Sequence, residues 1–148
     1  MTISRRDVMG LAAGAVLVRP ALSQTPAELA AAISAWTGGA PVHAGRVKLD
    51  IAKLVDNGNT VPMTVTVDSP MTAADHVAAI AVFNERNPQR DVARFTLGPR
   101  AGKAHVATRI RLATSQKLTA VAKMGDGSFW SDSVDVVVVL AACIEGDI

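Results

Sequence analysis

The amino-acid sequence predicts an all-β protein: an immunoglobulin-like antiparallel β-sandwich of about seven strands with one N-terminal helix. Short segments of alternating apolar and polar residues recur along the chain, and a period of two is typical of half-buried strands. Turn-forming residues separate these segments at intervals of about 8–12 residues, as in known sandwiches. The 148 residues suffice for one core, and a single cysteine excludes an internal disulfide.

Residues 1–23 have the layout of an export signal, with basic residues first, then an apolar stretch, then small residues. The apolar stretch at 8–18 is too short to span a bilayer as a helix of about 20 residues. Arg5-Arg6 and their surroundings resemble a twin-arginine signal, with a general secretory signal or an amphipathic core helix as alternatives. Cleavage is expected near Ser23, and export would place the protein in the periplasm, where thiols meet oxidants.

Residues 24–44 are predicted to form the N-terminal helix and a linker. Thr25 can cap this helix and Pro26 suits its first turn. Gly38-Gly39 are expected to end it. Three apolar residues share one face and should pack against the domain: Leu29, Ile33 and Trp36.

The sandwich is predicted to span residues 45–142. Its strand candidates are 45–51, 60–67, 77–83, 92–97, 104–112, 118–124 and 134–140. The candidate at 77–83 is rich in alanine and could instead be a short helix. Pro62 places the start of its strand at an edge or a bulge, and the last candidate, VDVVVVL, suits a strand buried on both faces.

In neighbouring strand candidates, the alternate positions on one face are apolar, which predicts one core between the two sheets. The residues expected in this core are Val106, Ile110, Leu112, Leu118, Val136, Val138 and Leu140.

Charge and motifs argue against several classes of function. The chain has 15 Lys and Arg against 13 Asp and Glu. Without the three arginines and one aspartate of the leader, twelve of each sign are left, which gives no reason to expect nucleic acid or an anionic membrane as a partner. The sequence has no phosphate loop, dinucleotide fingerprint or nucleophile elbow. We therefore expect no cofactor, no metal and no catalytic residues.

Basic and histidine residues offer the next candidates for a site. Lys103, Arg109 and Arg111 lie on the polar face of one strand candidate, where they could protect a sheet edge, face an anion or a partner, or belong to an unrecognised enzyme site. His105 shares that polar face and is expected at the surface. His43 and His76 are too far from it in sequence to suggest a metal site.

Cys143 is the one residue with thiolate chemistry, and it lies on the short tail 143–148 directly after the last strand candidate. A lone cysteine at a strand end can be a small buried hydrophobe. Its place on a terminal tail favours an accessible thiol instead, because tails seldom pack.

Several stretches appear in an order that is similar to one family. They are residues 57–62 (NGNTVP), Phe83 with Asn87-Pro88, 94–104 (RFTLGPRAGKA), 108–112 (TRIRL) and 126–130 (DGSFW). Together they resemble SoxY, the carrier subunit of bacterial thiosulfate oxidation, over nearly the whole chain after the leader.

This resemblance implies an immunoglobulin-like sandwich that pairs with a second small sandwich protein, SoxZ. It also implies a periplasmic carrier with no catalysis of its own. Sulfur intermediates would be held covalently on Cys143, and this cysteine would visit separate Sox enzymes that load, oxidise and hydrolyse the cargo.

The tail differs from the Gly-Gly-Cys-Gly-Gly arm of that family. Ala141-Ala142 precede the cysteine and Ile144 follows it, so the tail should be stiffer and thicker than a glycine arm. Glu145 and Asp147 add negative charge, which disfavours a thiolate. The alternative is a SoxY-like structural or binding subunit that has lost carrier activity.

Overall fold

The structure is a computed structural model that describes residues 25–142, so the predicted export signal at 1–23 and the tail at 143–148 lie outside the described residues. The described chain consists of α1 (Thr25–Thr37), β1 (Val42–Ala44), β2 (Val47–Ile51), β3 (Leu54–Asn57), β4 (Val61–Val67), β5 (Val77–Asn84), β6 (Asp91–Thr96), a 3-10 turn (Pro99–Ala101), β7 (His105–Ile110), β8 (Gln116–Met124) and β9 (Phe129–Leu140). None of its helices is long and apolar enough to cross a membrane.

The strands form two sheets, which confirms the predicted sandwich. The smaller sheet has the order β2-β4-β7 and the larger one the order β1-β9-β8-β5-β6, with β3 also paired to β9. All these pairings are antiparallel except those of β1 and β3, which run parallel to β9. These two strands raise the number from about seven to nine among the described residues. They hold only three and four residues, too few for a periodic pattern.

The core lies between the two sheets where the apolar phases of their strands meet. Ile110, Leu112, Leu118 and Val136 are buried, as predicted. Val106 and Val138 are half-buried and pack against the rim of this core. The prediction for Leu140 is wrong: its side chain is 60% exposed, because it ends β9 four residues beyond the last pair with β8, at Val136.

Helix α1 covers part of the outer face of the larger sheet. Leu29 is buried, and Ile33 and Trp36 pack in the same cluster, which confirms the predicted apolar face. The Trp36 ring meets Phe83 and Phe129 edge-on at centroid distances of 6.1 and 5.5 Å, a favourable aromatic geometry. The helix thus lies over β5 and the start of β9.

Strand β9 is not buried on both faces, which corrects the prediction for the valine run. Val136 faces the core, but Val137 and Val139 are 54% and 69% exposed, because α1 covers only the beginning of this strand. Leu54 of β3 is in register with Val137 and is 62% exposed. These three residues form an exposed apolar strip on the outer face of the larger sheet, defined here as Leu54, Val137 and Val139.

The prediction for the start of the strand at Pro62 is also confirmed. Pro62 pairs with Arg109 of β7, whereas the pairing with β2 begins only at Met63, so the proline lies at a local edge. The glycine-rich turn between β8 and β9 is closed by Asp126, whose carboxylate accepts hydrogen bonds from the Ser128 hydroxyl and backbone N–H at 2.7 and 2.9 Å. These bonds, the hydroxyl first, lower the pKa of Asp126.

Truncation of Ile110 tests the assignment of the core phase. Ile110→Ala should lower the free energy of unfolding by about 2–5 kcal/mol, because it removes buried methylene groups and leaves a cavity. Leu140→Ala is the matched control, and since Leu140 is exposed it should change stability by less than about 0.5 kcal/mol. Urea unfolding of the isolated protein measures both, and equal losses would contradict the assignment.

Candidate functional site

The end of β9 is tied to the rest of the sandwich immediately before Cys143. Ala142, the last described residue, is buried, and its N–H donates to the Leu112 carbonyl at 3.1 Å. The Leu112 N–H donates to the Gly58 carbonyl and the Gly58 N–H to the Leu140 carbonyl, both at 2.8 Å. We call these four residues the tail anchor. They join the turn after β3, the β7–β8 connection and the end of β9.

Gly58 is required in the tail anchor for steric reasons. A Cβ atom at this position would lie 2.4 Å from the Leu112 carbonyl oxygen, 3.0 Å from Val138 Cγ1 and 3.1 Å from the Ala142 nitrogen. Side chains do not tolerate such contacts, so only glycine lets the three segments approach. In the sequence, the Asn57-Gly58 pair predicts only a turn, so sequence reasoning misses this steric role of Gly58.

The last residues of β9 form hydrogen bonds along both edges of the strand. Strand β3 pairs with residues 137–140, and the Val137 N–H donates to the Lys53 carbonyl at 2.8 Å. On the other side, the Ser115 hydroxyl accepts from the Val138 N–H at 2.8 Å and lies 3.4 Å from the Val138 carbonyl. Strand ends usually fray, but these bonds fix the backbone up to Ala142.

A buried polar network positions the β7–β8 connection that carries Leu112. The Asn87 side chain accepts from the Ala113 N–H at 2.9 Å and from Gln116 Nε2 at 2.7 Å, and it donates to the Arg111 carbonyl at 2.8 Å. Asn84 is fully buried and accepts from the Asn87 N–H at 2.8 Å. Because buried polar groups are costly unless paired, this network holds Leu112 in place to receive Ala142.

Cys143 itself lies outside the described residues, so the exposure of its thiol stays a prediction. Covalent geometry still limits its position, since consecutive Cα atoms are about 3.8 Å apart. The cysteine therefore follows the tail anchor without an intervening residue, and its reach begins at this end of the sandwich.

The basic residues picked out from the sequence lie on the outer face of the smaller sheet. Lys103, Arg109 and Arg111 are exposed, and so is His105, as predicted. Strand β7 is an edge strand, which fits edge protection. Lys48 of β2 is exposed on the same face, and we call the set of Lys48, Lys103, Arg109 and Arg111 the cationic face.

The three histidines are not brought together. His43 lies in β1 with its ring 5.2 Å from Trp130, and His76 Nδ1 lies 3.1 Å from the Thr72 carbonyl. His105 Nδ1 is 3.0 Å from the Thr66 hydroxyl. Between residues 25 and 142, no three His, Cys, Asp or Glu side chains are grouped to hold a metal ion.

Comparison with known proteins gives one family. The model of the family described as "Sulfur oxidation protein SoxY" matches residues 33–143. Among solved structures, the sulfur carrier protein SoxY from Chlorobium limicola f thiosulfatophilum is 28% identical, with 76% of this chain and 97% of that chain covered and a TM-score of 0.65. No curated protein matches the chain.

Other solved structures share the fold alone. A superoxide reductase (neelaredoxin) from Ignicoccus hospitalis is 16% identical, with 66% of this chain and 94% of that chain covered and a TM-score of 0.58. A putative superoxide reductase from Thermotoga maritima is 22% identical, with 66% and 87% covered and a TM-score of 0.54. At such identities the likeness carries no inference about activity.

Replacement of Gly58 by alanine tests the tail anchor. Gly58→Ala should lower the free energy of unfolding by about 1–3 kcal/mol, because the added methyl group overpacks a tight junction. Hydrogen exchange of the Ala142 amide should also become faster, as the bond to Leu112 weakens.

Gly98→Ala is the matched control for this substitution. Gly98 has an extended backbone (φ −151°), and an added Cβ would meet nothing within 4 Å. NMR-detected exchange together with urea unfolding decides the matter. Wild-type exchange at Ala142 in Gly58→Ala would show that this amide is not held as described.

Proposed function

Because the chain belongs to the SoxY family of sulfur-oxidation proteins, we propose that it is a periplasmic carrier that holds sulfur intermediates covalently on Cys143. On this proposal it has no catalysis of its own, and the enzymes of the Sox system load and process the cargo. The observation that carries the proposal is that the family match extends to residue 143, directly after the anchored Ala142. The fold thus supplies a fixed base for a reactive terminal thiol.

The chemistry required of Cys143 is thiolate formation at the moment of loading. Glu145 and Asp147 oppose this in sequence. The nearest basic residue in sequence to a residue that binds Ala142 is Arg111, which directly precedes Leu112. A positive charge near the base of the tail favours a thiolate, and a loading enzyme would supply the rest from its own site.

A second candidate function is a SoxY-like structural or binding subunit without carrier activity. The observation that favours it is the tail anchor, because Ala142 is buried and bonded where a glycine arm would be free to move. Alanines at 141 and 142 also replace the glycines of the family arm. On this alternative the sandwich would serve a partner protein and Cys143 would carry no cargo.

Intact-mass measurement of the protein from its native periplasm separates the two candidates. After growth on thiosulfate, the carrier should show sulfur adducts on Cys143, and Cys143→Ser should show none. Replacement of Glu145 and Asp147 by glycine should speed alkylation of the thiol, because two like charges are removed. A thiol that resists alkylation in the folded protein and carries no adduct would leave the structural-subunit alternative.

We further propose that the apolar strip binds a SoxZ-like subunit. The three side chains of the strip are each more than half exposed, and permanent interfaces are more apolar than ordinary protein surface. Val139 of the strip directly precedes Leu140 of the tail anchor, so a partner bound to the strip would leave the end of β9 at the rim of the heterodimer.

A charge in the apolar strip should break this pairing. Val139→Asp should abolish co-purification with the SoxZ-like subunit, since an unpaired carboxylate would be buried at the interface. The fold should survive, because Val139 is exposed in the isolated chain. Thr96→Asp, an exposed position in edge strand β6, is the control and should pair normally. Retained pairing by Val139→Asp would place the interface elsewhere.

A further inference from the structure

We propose that the cationic face is the docking surface for an acidic surface at the active-site mouth of the enzymes that act on Cys143. This inference rests on the proposed carrier function and goes beyond it, since it assigns a second, transient interface on the sheet opposite the apolar strip. The occupant is a protein surface rich in carboxylates.

The cations of this face are not held in ion pairs by the described part of the chain, although Asp68 and Asp91 line the two grooves beside them. Within residues 25–142, the ion pairs join Arg46 to Asp75, Arg90 to Glu28, Arg94 to Asp91 and Lys117 to Asp135. No member of the cationic face takes part in them.

The spacing of these cations fits a protein surface and not a small oxyanion. Lys48 is in register with Thr66, and Thr66 with His105, so two strand spacings of about 4.8 Å separate Lys48 from His105. Arg109 lies four residues along β7 from His105, a distance of about 13 Å. One sulfate-sized ion cannot contact both Lys48 and Arg109, whereas carboxylates spread over a facing protein can.

The shape of the cationic face also fits a protein partner. Lys48, Lys103 and His105 line one shallow groove of about 440 Å³, and Arg109 and Arg111 line another of about 460 Å³. Both are open to solvent, so neither encloses a small ligand. They suit side chains that project from a partner surface.

An acidic protein fits this face better than a nucleic acid or an anionic membrane. Asp50 of β2 is exposed on the same face, in register with Thr64. A carboxylate within the face would repel a continuous polyanion. A protein partner can place a donor opposite Asp50 and carboxylates opposite the cations, which is the usual basis of electrostatic complementarity.

The cationic face extends to the end of the sandwich that carries the tail anchor, so an enzyme bound to it would lie near Cys143. Arg109 and Arg111 come three residues and one residue before Leu112 in the sequence. The Leu112 carbonyl accepts a hydrogen bond from the Ala142 N–H. An enzyme that acts on Cys143 must therefore approach this end of the sandwich. Charged surfaces speed such encounters without making the complex permanent, which suits a carrier that visits several enzymes in turn.

Charge reversal on the face tests the proposal in thiosulfate-dependent loading of Cys143, reconstituted with the Sox enzymes of the same organism and the SoxZ-like subunit. Lys48→Glu and Arg109→Glu should each lower kcat/KM for loading about tenfold at low ionic strength. The deficit should shrink as salt shortens the screening length to about 8 Å and below. Lys123→Glu is the matched control, an exposed strand lysine on the opposite face, and should stay within about twofold of wild type.

Further measurements distinguish a failure of the docking proposal from a failure of the proposed carrier function. Neutral iodoacetamide should alkylate Cys143 equally fast in all variants, which shows that the thiol is intact. Wild-type loading by Lys48→Glu and Arg109→Glu, with unchanged salt dependence, overturns the docking surface and leaves the carrier function standing. Loss of pairing with the SoxZ-like subunit, or competition by sulfate at constant ionic strength, also overturns it. Absence of loading in wild type removes both proposals.

Discussion

Three backbone hydrogen bonds among Gly58, Leu112, Leu140 and Ala142 fix the position of β9 and of Ala142, the last described residue. Leu112 follows the edge strand of the smaller sheet, Leu140 ends the longest strand of the larger sheet, and Gly58 lies between β3 and β4. The bonds therefore join the two sheets at one end of the sandwich. Buried backbone groups must be paired, and here the pairing is available only because Gly58 has no side chain.

The same arrangement separates two kinds of surface. Helix α1 covers the outer face of the larger sheet over β5 and the start of β9, so the end of β9 keeps exposed valines beside the tail anchor. On the opposite sheet, exposed cations run along edge strand β7 toward the same anchor. An apolar surface suits a lasting partner and a charged one suits brief encounters, and both meet near the residue that precedes Cys143.

The sequence was informative where a strand has its own pattern. Alternation in Val47–Ile51 and Val61–Val67 predicted these strands with their buried phases, and the order of family-like stretches predicted the sandwich. Strands β1 and β3 could not be found this way, because they exist through their pairing with β9 and not through a pattern of their own. The valine run was misjudged because hydrophobicity does not say whether a helix, the opposite sheet or another protein covers a residue. Gly58 was recognised as a turn residue, but its contact with Ala142 depends on packing between distant segments.

The tail anchor also changes how a carrier of this kind would have to work. A long glycine arm can enter a narrow active site while the carrier domain stays at a distance. Here the backbone is held up to Ala142, so the Cα of Cys143 is within about 3.8 Å of a fixed point. A partner enzyme must then bring its active site to the sandwich itself, and recognition shifts from the arm to the surfaces around its base. The basic residues that lead to Leu112 are the surface that such a partner would meet first.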